Sequence, residues 1–497
     1  MNTSTIRRRS RAAAAVLAAA LAALAFAAPA HAATPHLVDP DARGSLTIHK
    51  YEAPVTPTGL PHDGTEQSVG LPALEGVGFT VYKVDTIDLT TNAGWLDASE
   101  LSDDFDGTEA SITGAGYTVT AVGGEQLTDA AGEIALTDLD LGLYYVVETS
   151  PLPGSTGVAP FLVTVPLTDP ADQDAWLYDV HVYPKNALTA VEKTVEDSED
   201  LKIGDEIDFT LTADIPNVTV IDGYKLVDDL AATLDYVGAT VELSDGTALV
   251  EGVDYTVTPA AATAGGPTVE IVFTAAGRDL LEAHTDLQVV AVLTASVNTV
   301  GEIVNTALLY PNAGSFTIQP GEPGGPTETP EVITKWGGLT IAKVDEAGAA
   351  LTGAVFSVYP TEQDAVDGTN AIVLGGATEF AVAADGTVTI SGLRYSDWAD
   401  GVAVAAGEDG YQTYWLAEIV APDGFELLAA PIEFTVTAAT TAVGVDLDVV
   451  NVPSNVGFAL PNTGGAGTTL FWLGGGMLLA GAVFLAVYAR RKARTDA

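Results

Sequence analysis

The sequence predicts an all-β protein made of three tandem immunoglobulin-like β-sandwich domains. Short segments alternate apolar and polar residues, for example 79–82, 161–165 and 434–437, which is the period of half-buried strands. Gly, Asp, Asn and Pro interrupt these segments at short intervals, as in β-sandwiches, and helical periodicity is scarce outside the two ends. At 497 residues the chain is too long for one compact core, and three domains are expected.

The two ends have compositions of their own. Four arginines precede the apolar stretch 12–28 and the small-residue site Ala30-His31-Ala32, a pattern that predicts a secretory signal peptide over residues 1–32. Residues 456–497 contain an apolar run at 469–488, long enough to cross a bilayer core of roughly 30 Å, and a basic tail that should stay cytoplasmic. The alternative for each end is a permanent membrane anchor.

Acidic residues dominate the part of the chain between these ends. The whole sequence has a net charge of −48. Residues 33–463 hold 11 of the 19 basic and 66 of the 67 acidic residues, which gives a net charge of −55. Such a surface repels nucleic acid and anionic lipid, so neither is an expected partner. The chain has no cysteine, so it must be stabilised without the disulfides common in secreted proteins.

Composition and repeated order suggest the domain boundaries. We expect domains at 33–186, 187–332 and 333–455, and the Pro/Gly-rich stretch 319–330 reads as a linker. The first and third domains share an ordered series of segments. Each has a Leu-Thr-Ile strand followed closely by a lysine, a Tyr-x-apolar-x-Glu segment, an Ala-Pro strand opening and a final strand with asparagine. They therefore appear as diverged copies.

Only eight lysines lie between the two ends, and several fall inside strand patterns. Burial favours the neutral amine of a lysine, which is a nucleophile. An asparagine carboxamide beside that amine could be attacked, and a buried carboxylic acid could polarise the amide and move the proton. The product would be an internal isopeptide bond, formed once, with loss of ammonia.

The third domain resembles the Cna B-type or SpaA-type pilin domain over its whole length. The matching segments are Leu339–Val344 with Lys343, the Tyr414-Trp-Leu-Ala-Glu418 box and Val450-Asn451-Val-Pro453. The resemblance implies a bond between Lys343 and Asn451, assisted by Glu418. Ile419 and Phe425 replace the usual Thr and Tyr but leave the acid in place.

The middle domain resembles the Cna A-type pilin domain. The resemblance implies a bond from Lys193 in Val-Glu-Lys-Thr-Val to Asn305 in Val-Asn-Thr-Ala-Leu, with Asp228 as the assisting acid. The neighbouring Asp229 is the alternative acid. A simple salt bridge between Lys193 and an aspartate is the alternative to a bond.

The first domain keeps the same three residue types, Lys50, Glu148 and Asn186, with Glu148 in a partial Tyr-Tyr-Val-Val-Glu box. A bond there is expected by analogy with the third domain. The question stays open in the sequence, because Asn186 directly follows Lys185 and N-terminal domains of shaft pilins often lack the bond or form it late.

Two further segments resemble the parts of a sortase-assembled pilus. Leu460-Pro461-Asn462-Thr463-Gly464 resembles a sorting signal cut between Thr463 and Gly464, and residues 176–186 resemble the pilin motif with Lys185 as acceptor. The whole chain thus resembles the major shaft pilin of Gram-positive bacteria, in the fimbrial family of actinomycetes and corynebacteria. The resemblance implies copies of the same chain, pilus-specific and housekeeping sortases and peptidoglycan as partners. It also implies a role in adhesion or biofilm, with host or bacterial surface receptors as further candidates.

Two other interpretations compete with a shaft subunit. A wall-anchored adhesin or minor pilin would share the sorting signal and the sandwiches, but a tip subunit needs no acceptor such as Lys185. A secreted enzyme is disfavoured because the five histidines of this region are scattered, and because no Gly-x-Ser-x-Gly elbow or EF-hand spacing occurs. We therefore expect no cofactor, no metal and no catalytic turnover.

Overall fold

A computed structural model describes residues 37–171, 173, 175–442 and 444–454. The predicted signal peptide and sorting signal, including Leu460 to Gly464, lie outside the described residues. Strands account for most of the regular structure, which confirms the predicted all-β class. None of the helices in the described part of the chain has the length and apolar character needed to span a bilayer.

The first domain packs two main sheets face to face. Its strands are β1 (Gly44–His49), β2 (Tyr51–Glu52), β3 (Gly78–Val84), β4 (Val119–Ala121), β5 (Gln126–Leu127), β6 (Glu133–Leu139), β7 (Gly142–Ser150), β8 (Ser155–Thr156), β9 (Phe161–Val165), β10 (Leu167–Thr168), β11 (Trp176–Leu177), β12 (Asp179–Val182) and β13 (Lys185–Leu188). One sheet has the order β12-β1-β6 and the other β4-β3-β7-β9, with β5 on β3. Alternate residues such as Leu46, Ile48 and Val180 are fully buried between them.

Two helices follow β3 and cover a second small core. They are α1 (Asn92–Asp104) and α2 (Glu109–Gly114). Thr91 and Thr108 cap them, because each hydroxyl accepts a hydrogen bond from a backbone N–H of the first turn. Their buried faces pack on strand residues that include Val84, Leu143 and Tyr145.

The middle domain is a sandwich of a four-stranded and a five-stranded sheet. Its elements are β14 (Val191–Glu196), β15 (Glu206–Asp214), β16 (Lys225–Asp229), β17 (Leu234–Leu243), β18 (Tyr255–Thr258), β19 (Thr268–Phe273), α3 (Ala275–Glu282), β20 (Gln288–Val297), β21 (Gly301–Asn305), β22 (Ala307–Tyr310), a 3-10 helix (Gly314–Thr317) and β23 (Thr327–Glu328). The sheet orders are β14-β15-β20-β17 and β18-β19-β16-β22-β23. Strict alternation of buried and exposed residues along β14 and β20 places one face of each strand in the core.

The third domain repeats the strand order of the first. Its elements are β24 (Val332–Val344), β25 (Val355–Tyr359), α4 (Glu362–Asp367), β26 (Phe380–Ala381), β27 (Thr387–Arg394), β28 (Trp398–Ala399), β29 (Val402–Ala403), β30 (Tyr414–Val420), β31 (Ile432–Phe434), α5 (Ala438–Thr441) and β32 (Leu447–Val450). Here β24 pairs parallel with β32 and antiparallel with β27, just as β1 pairs with β12 and β6. The second sheet has the order β26-β25-β30-β31.

Strand β24 runs through the junction between the middle and third domains. Its first residues pair with β21, and from Trp336 onward it pairs with β27. Trp336 is fully buried and belongs to the core of the middle domain. One continuous strand therefore joins the two domains across the boundary that composition suggests.

Arg394 of the third domain also bonds to the middle domain at this junction. Its side chain is fully buried and donates hydrogen bonds to the backbone carbonyls of Ser198 and Asp200, each at 3.0 Å. Further donors reach carbonyls of its own domain, including that of Gly410 at 3.0 Å. Because a buried guanidinium needs all its donors satisfied, the carbonyls of both domains are held in place together.

Candidate functional site

In the first domain the strand pairing brings the predicted lysine and asparagine together. Lys50 follows β1, and β13 runs parallel to β2 with Asn186 opposite Glu52. The Nζ atom of Lys50 lies 2.7 Å from an Oε atom of Glu148 and also donates to the side-chain oxygen of Asn186. All three side chains are almost completely buried. The three residues predicted from the sequence therefore form one contiguous cluster.

The surroundings of Lys50 favour its neutral amine. Burial lowers the pKa of Lys50 to about 8, while the charge of Glu148 opposes that change. The Phe79 ring lies under the amine, with its centroid 5.3 Å from Nζ. Roughly a tenth of the Lys50 amine is therefore uncharged at pH 7 and about half at pH 8.

The middle domain gathers Lys193, Asp228 and Asn305 in the same way. Lys193 Nζ donates to a carboxylate oxygen of Asp228 and to the backbone carbonyl of Thr306, the latter at 3.3 Å. Burial lowers the pKa of Lys193 and raises the pKa of Asp228. Both changes favour the neutral amine and the neutral acid that amide formation would use.

Asp228, not Asp229, faces the lysine. Asp228 is 1% exposed, whereas Asp229 lies on the exposed side of β16 and accepts a hydrogen bond from Thr268 Oγ1 at 2.7 Å. The other Oδ atom of Asp228 and both polar side-chain atoms of Asn305 have no hydrogen-bond partner among the described residues. Buried polar atoms without partners are costly, so this cluster holds polar groups that the fold does not otherwise satisfy.

The third domain places its three predicted residues at the end of the β24–β32 pair. Lys343 is opposite Val449 and donates to its carbonyl oxygen at 2.9 Å. The side-chain nitrogen of Asn451 donates to both oxygens of Glu418, at 3.0 and 2.8 Å, while its oxygen has no partner among the described residues. Burial lowers the pKa of Lys343.

Lys185 has a different environment from the three buried lysines. It is half-buried at the start of β13, and its Nζ donates to the carbonyl of Tyr183 at 3.0 Å. It borders an open groove of about 400 Å³, whose wall includes Pro54, Leu60 and Asn217. Partial burial lowers the pKa of Lys185. Its amine is thus reachable from solvent, unlike that of the fully buried Lys50, which precedes Tyr51, the residue paired with Lys185.

The other residues of segment 176–186 are buried to different degrees. Val180 is fully buried in the core, whereas Trp176 and Val182 are only half-buried. Trp176 stacks on Trp95, with ring centroids 5.2 Å apart. Of these three residues only Val180 is wholly enclosed, because β11 pairs with β10 whereas β12 pairs with β1.

Sequence reasoning missed the backbone donors of these sites. Val158 N donates to Glu148 and to the Asn186 oxygen, and Leu428 N donates to Glu418 at 3.0 Å. Each donor lies ten residues after its acid. This common spacing could have pointed to the two donors. It was missed because every residue except proline has a backbone N–H, so no residue type marks the position.

Three family models match separate parts of the chain, on either side of the middle domain. Residues 41–187 match the N-terminal domain D1 of Gram-positive pilin subunits, residues 337–449 match a prealbumin-like fold domain, and residues 452–494 match the LPXTG cell wall anchor motif. The fold and the anchor together define a Gram-positive pilin attached to the cell wall.

Similar proteins narrow the family further. The chain is 32% identical to fimbrial subunit type 1 of Actinomyces viscosus, covering 92% of each protein, and 33% identical to fimbrial subunit type 2 of Actinomyces naeslundii, covering 100% of this chain and 99% of that one. It superposes on the full-length major pilin SpaD of Corynebacterium diphtheriae with a TM-score of 0.65 and 26% identity, covering 84% of this chain and 99% of that one. The chain belongs to the family of Gram-positive fimbrial subunits, and it is a structural component of a surface pilus.

Proposed function

We propose that this protein is the shaft subunit of a covalently polymerised pilus, and that Lys–Asn isopeptide bonds stabilise each of its three domains. The observation that carries the second part is that each of the three domains buries a lysine, an acid and an asparagine in one cluster. The direct contacts differ: Lys50 reaches both partners, Lys193 reaches Asp228, and in the third domain Asn451 reaches Glu418 while Lys343 donates to Val449 O. Three charged lysines buried for packing alone would each carry a desolvation cost without a matching gain.

The proposed reaction is balanced within each cluster. The neutral Nζ attacks Cγ of the asparagine, and the new C–N bond replaces the bond to the side-chain nitrogen. The acid takes the proton from the attacking amine and delivers it to the leaving nitrogen, so one ammonia is released. Nothing is oxidised or reduced, and the acid ends the reaction unchanged.

The bonds would link the start of each domain to a strand near its C-terminal end. In the first domain Asn186 lies on β13, the parallel neighbour of β2 next to Lys50, and in the third domain Asn451 follows β32, the parallel neighbour of β24. Force applied along the fibre would then pass through an amide bond and not through the hydrogen bonds of the sheet. An amide of this kind is also insensitive to reductants, which suits a chain without cysteine.

Subunits would be joined by a separate reaction. A pilus-specific sortase would cut between Thr463 and Gly464 and hold the Thr463 carbonyl as a thioester. The Lys185 amine of another copy would displace the thiol and form the intersubunit amide. The open groove beside Lys185 supports this assignment, because an acceptor must be reachable by an enzyme-bound chain end. A housekeeping sortase would attach the finished fibre to peptidoglycan, and the fibre would serve adhesion or biofilm formation.

The intact mass of the segment 33–463 tests the internal bonds. Each bond lowers the mass by one ammonia, so we expect three losses, assigned to domains by peptide mapping. The full mass without any loss would refute the bond chemistry, whereas two losses would restrict it to two domains.

The main competing function is a wall-anchored adhesin or minor pilin that is not part of the shaft. Both candidates share the domains and the anchor, so only the acceptor lysine separates them. A shaft subunit forms a ladder of SDS-resistant multimers in cells that depends on Lys185, whereas a minor subunit appears only as a single band or joined to another protein.

A further inference from the structure

The loop between β7 and β9, residues 151–158, forms one wall of the first-domain cluster. Gly157 lies so close to Glu148 that a Cβ atom there would be 3.1 Å from the carboxylate. Ser155 Oγ lies 3.5 Å from the side-chain nitrogen of Asn186. The shape of this loop therefore decides how Glu148 and Asn186 are placed relative to Lys50.

The last residue of the loop donates directly to the reacting groups. The Val158 N–H reaches Glu148 Oε2 and Asn186 Oδ1, both at 3.1 Å. When an amine attacks Cγ of Asn186, negative charge develops on Oδ1. A fixed backbone donor at that oxygen stabilises the charge, as in the oxyanion holes of acyl-transfer enzymes.

The middle domain bonds to the first half of this loop and to its centre. Gly154 N donates to the Gly325 carbonyl and Gly324 N donates to the Pro151 carbonyl, each at 2.8 Å. Asn312 Nδ2 donates to the Ser155 carbonyl and to Thr156 Oγ1, each at 3.2 Å. The Pro/Gly-rich stretch that reads as a linker is thus folded back onto the first domain.

The third domain has the equivalent donor and part of the same support. Leu428 N donates to Glu418, and its loop is held by the residues that follow Asn451: Glu426 N donates to Val452 O at 3.0 Å and Ser454 N to Gly424 O at 2.8 Å. In the first domain the loop likewise bonds to its exit strand, because β8 pairs with β13 and Thr189 N donates to Gly154 O at 3.0 Å. What the first domain has in addition are the bonds from the middle domain.

We propose that residues 312–325 of the middle domain complete the first-domain site by holding the Val158 N–H on the Asn186 oxygen. This inference rests on the proposed Lys50–Asn186 bond. It makes Val158 a catalytic donor, and Asn312 a positioning residue that acts through the loop. It also sets an order, in which the first domain closes its bond only after the middle domain has docked.

A cavity of about 480 Å³ lies at the same junction. Its lining includes Glu148, Gly157 and Asn312, so it reaches the buried acid from the contact between the two domains. Ammonia released beside Glu148 would have a way out through this cavity without opening the core.

The test compares two identical chemical changes in the chain 33–463. Asn312→Asp removes the Nδ2 donor but keeps the oxygen that accepts from Ser315 N at 2.9 Å. Asn298→Asp is the matched control, because Asn298 Nδ2 donates only within the middle domain, to Ala232 O and Asp235. The chains are made by cell-free synthesis, and the ammonia loss of each domain is followed over time by mass spectrometry.

We expect Asn312→Asp to slow the release of ammonia from the first domain about 10- to 100-fold. Small misplacements of reacting groups produce effects of this size. The losses of the other two domains should keep their rates in Asn312→Asp. Asn298→Asp places a carboxylate beside that of Asp235, so the expectation for this control is that its first-domain rate matches the wild type. The pH dependence of the slowed reaction should be unchanged, because the Lys50 amine stays buried.

Two results would overturn the inference. An unchanged first-domain rate in Asn312→Asp would show that the middle domain plays no part. A slowed rate whose pH dependence moves to higher pH would show that docking acts by burying Lys50 and not by placing Val158. If Asn312→Asp also loses the middle-domain bond, Asn312→Ala, which adds no charge, replaces it under the same criteria. A wild-type chain without a first-domain loss would instead refute the proposed bond itself.

Discussion

Asn305→Ala isolates the contribution of the middle-domain bond. Asn305 is buried beside Lys193 and Asp228, and no described residue hydrogen-bonds to its side chain. Its removal therefore prevents the bond without removing a hydrogen bond among the described residues. The Lys193–Asp228 ion pair remains, so no buried charge is left without a partner.

The expected loss of stability follows from the length of the loop that the bond closes. Lys193 and Asn305 enclose roughly 110 residues, for which the chain-entropy model of a covalent cross-link gives about 4.7 kcal/mol at 25 °C. For a domain of this size 1 kcal/mol corresponds to roughly 2–4 °C in melting temperature. Asn305→Ala should therefore lower the melting temperature of the middle domain by roughly 10–20 °C.

Calorimetry of the chain 33–463 measures this change, with the middle-domain transition assigned by hydrogen exchange. Val304→Ala is the control, because Val304 is the preceding residue of β21 and is exposed; it should change the free energy of unfolding by no more than about 0.5 kcal/mol. Mass spectrometry must show one ammonia loss fewer in Asn305→Ala only. An unchanged melting temperature in a variant that has lost the bond would refute the cross-link as a source of stability.

Three further predictions concern the acid, the acceptor and the amine. Asp228→Ala should abolish the release of ammonia from the middle domain, while Asp229→Ala should retain it because Asp229 faces away from the lysine. Intact masses measure the difference, and loss of the bond in both variants would contradict the assignment. Lys185→Ala should abolish the SDS-resistant ladder in cells but allow monomer secretion, with Lys83→Ala as the control that keeps the ladder; a ladder that persists in Lys185→Ala would point to another acceptor. Because burial lowers the pKa of Lys50 to about 8, its neutral fraction grows about tenfold per pH unit below that value and levels off above it. The first-domain bond should therefore form faster from about pH 6 to pH 8 in a mass-spectrometric time course, and a rate independent of pH would show that deprotonation of this amine does not control the reaction.

The sequence located the candidate residues because the segments that carry them resemble those of pilin domains in type and order. Lys343, Glu418 and Asn451 lie in segments of recognisable order, and the structure brings Glu418 and Asn451 into direct contact. The choice between Asp228 and Asp229 was beyond the sequence. Residues 226–228 are all buried, so simple alternation along β16 does not tell which carboxylate points inward.

Contacts between domains were the least predictable part. Trp336 lies near the start of the third domain in sequence, yet it packs in the core of the middle domain. The Pro/Gly-rich stretch after Ile318 has the composition of a linker, but tight turns let Gly324 and Gly325 bond to the first domain. Such backbone bonds depend on how whole domains meet, and local composition carries no information about that.

The most direct test of the account is peptide mapping of fibres isolated from the cell surface. The central claim is that scarce amines in a strongly acidic chain act as covalent joints between molecules as well as within them. We predict a branched peptide in which the Thr463 carbonyl is bonded to Lys185 Nζ. Fibres whose Thr463 is bonded to a different amine, or whose Lys185 is unmodified throughout, would contradict the claim.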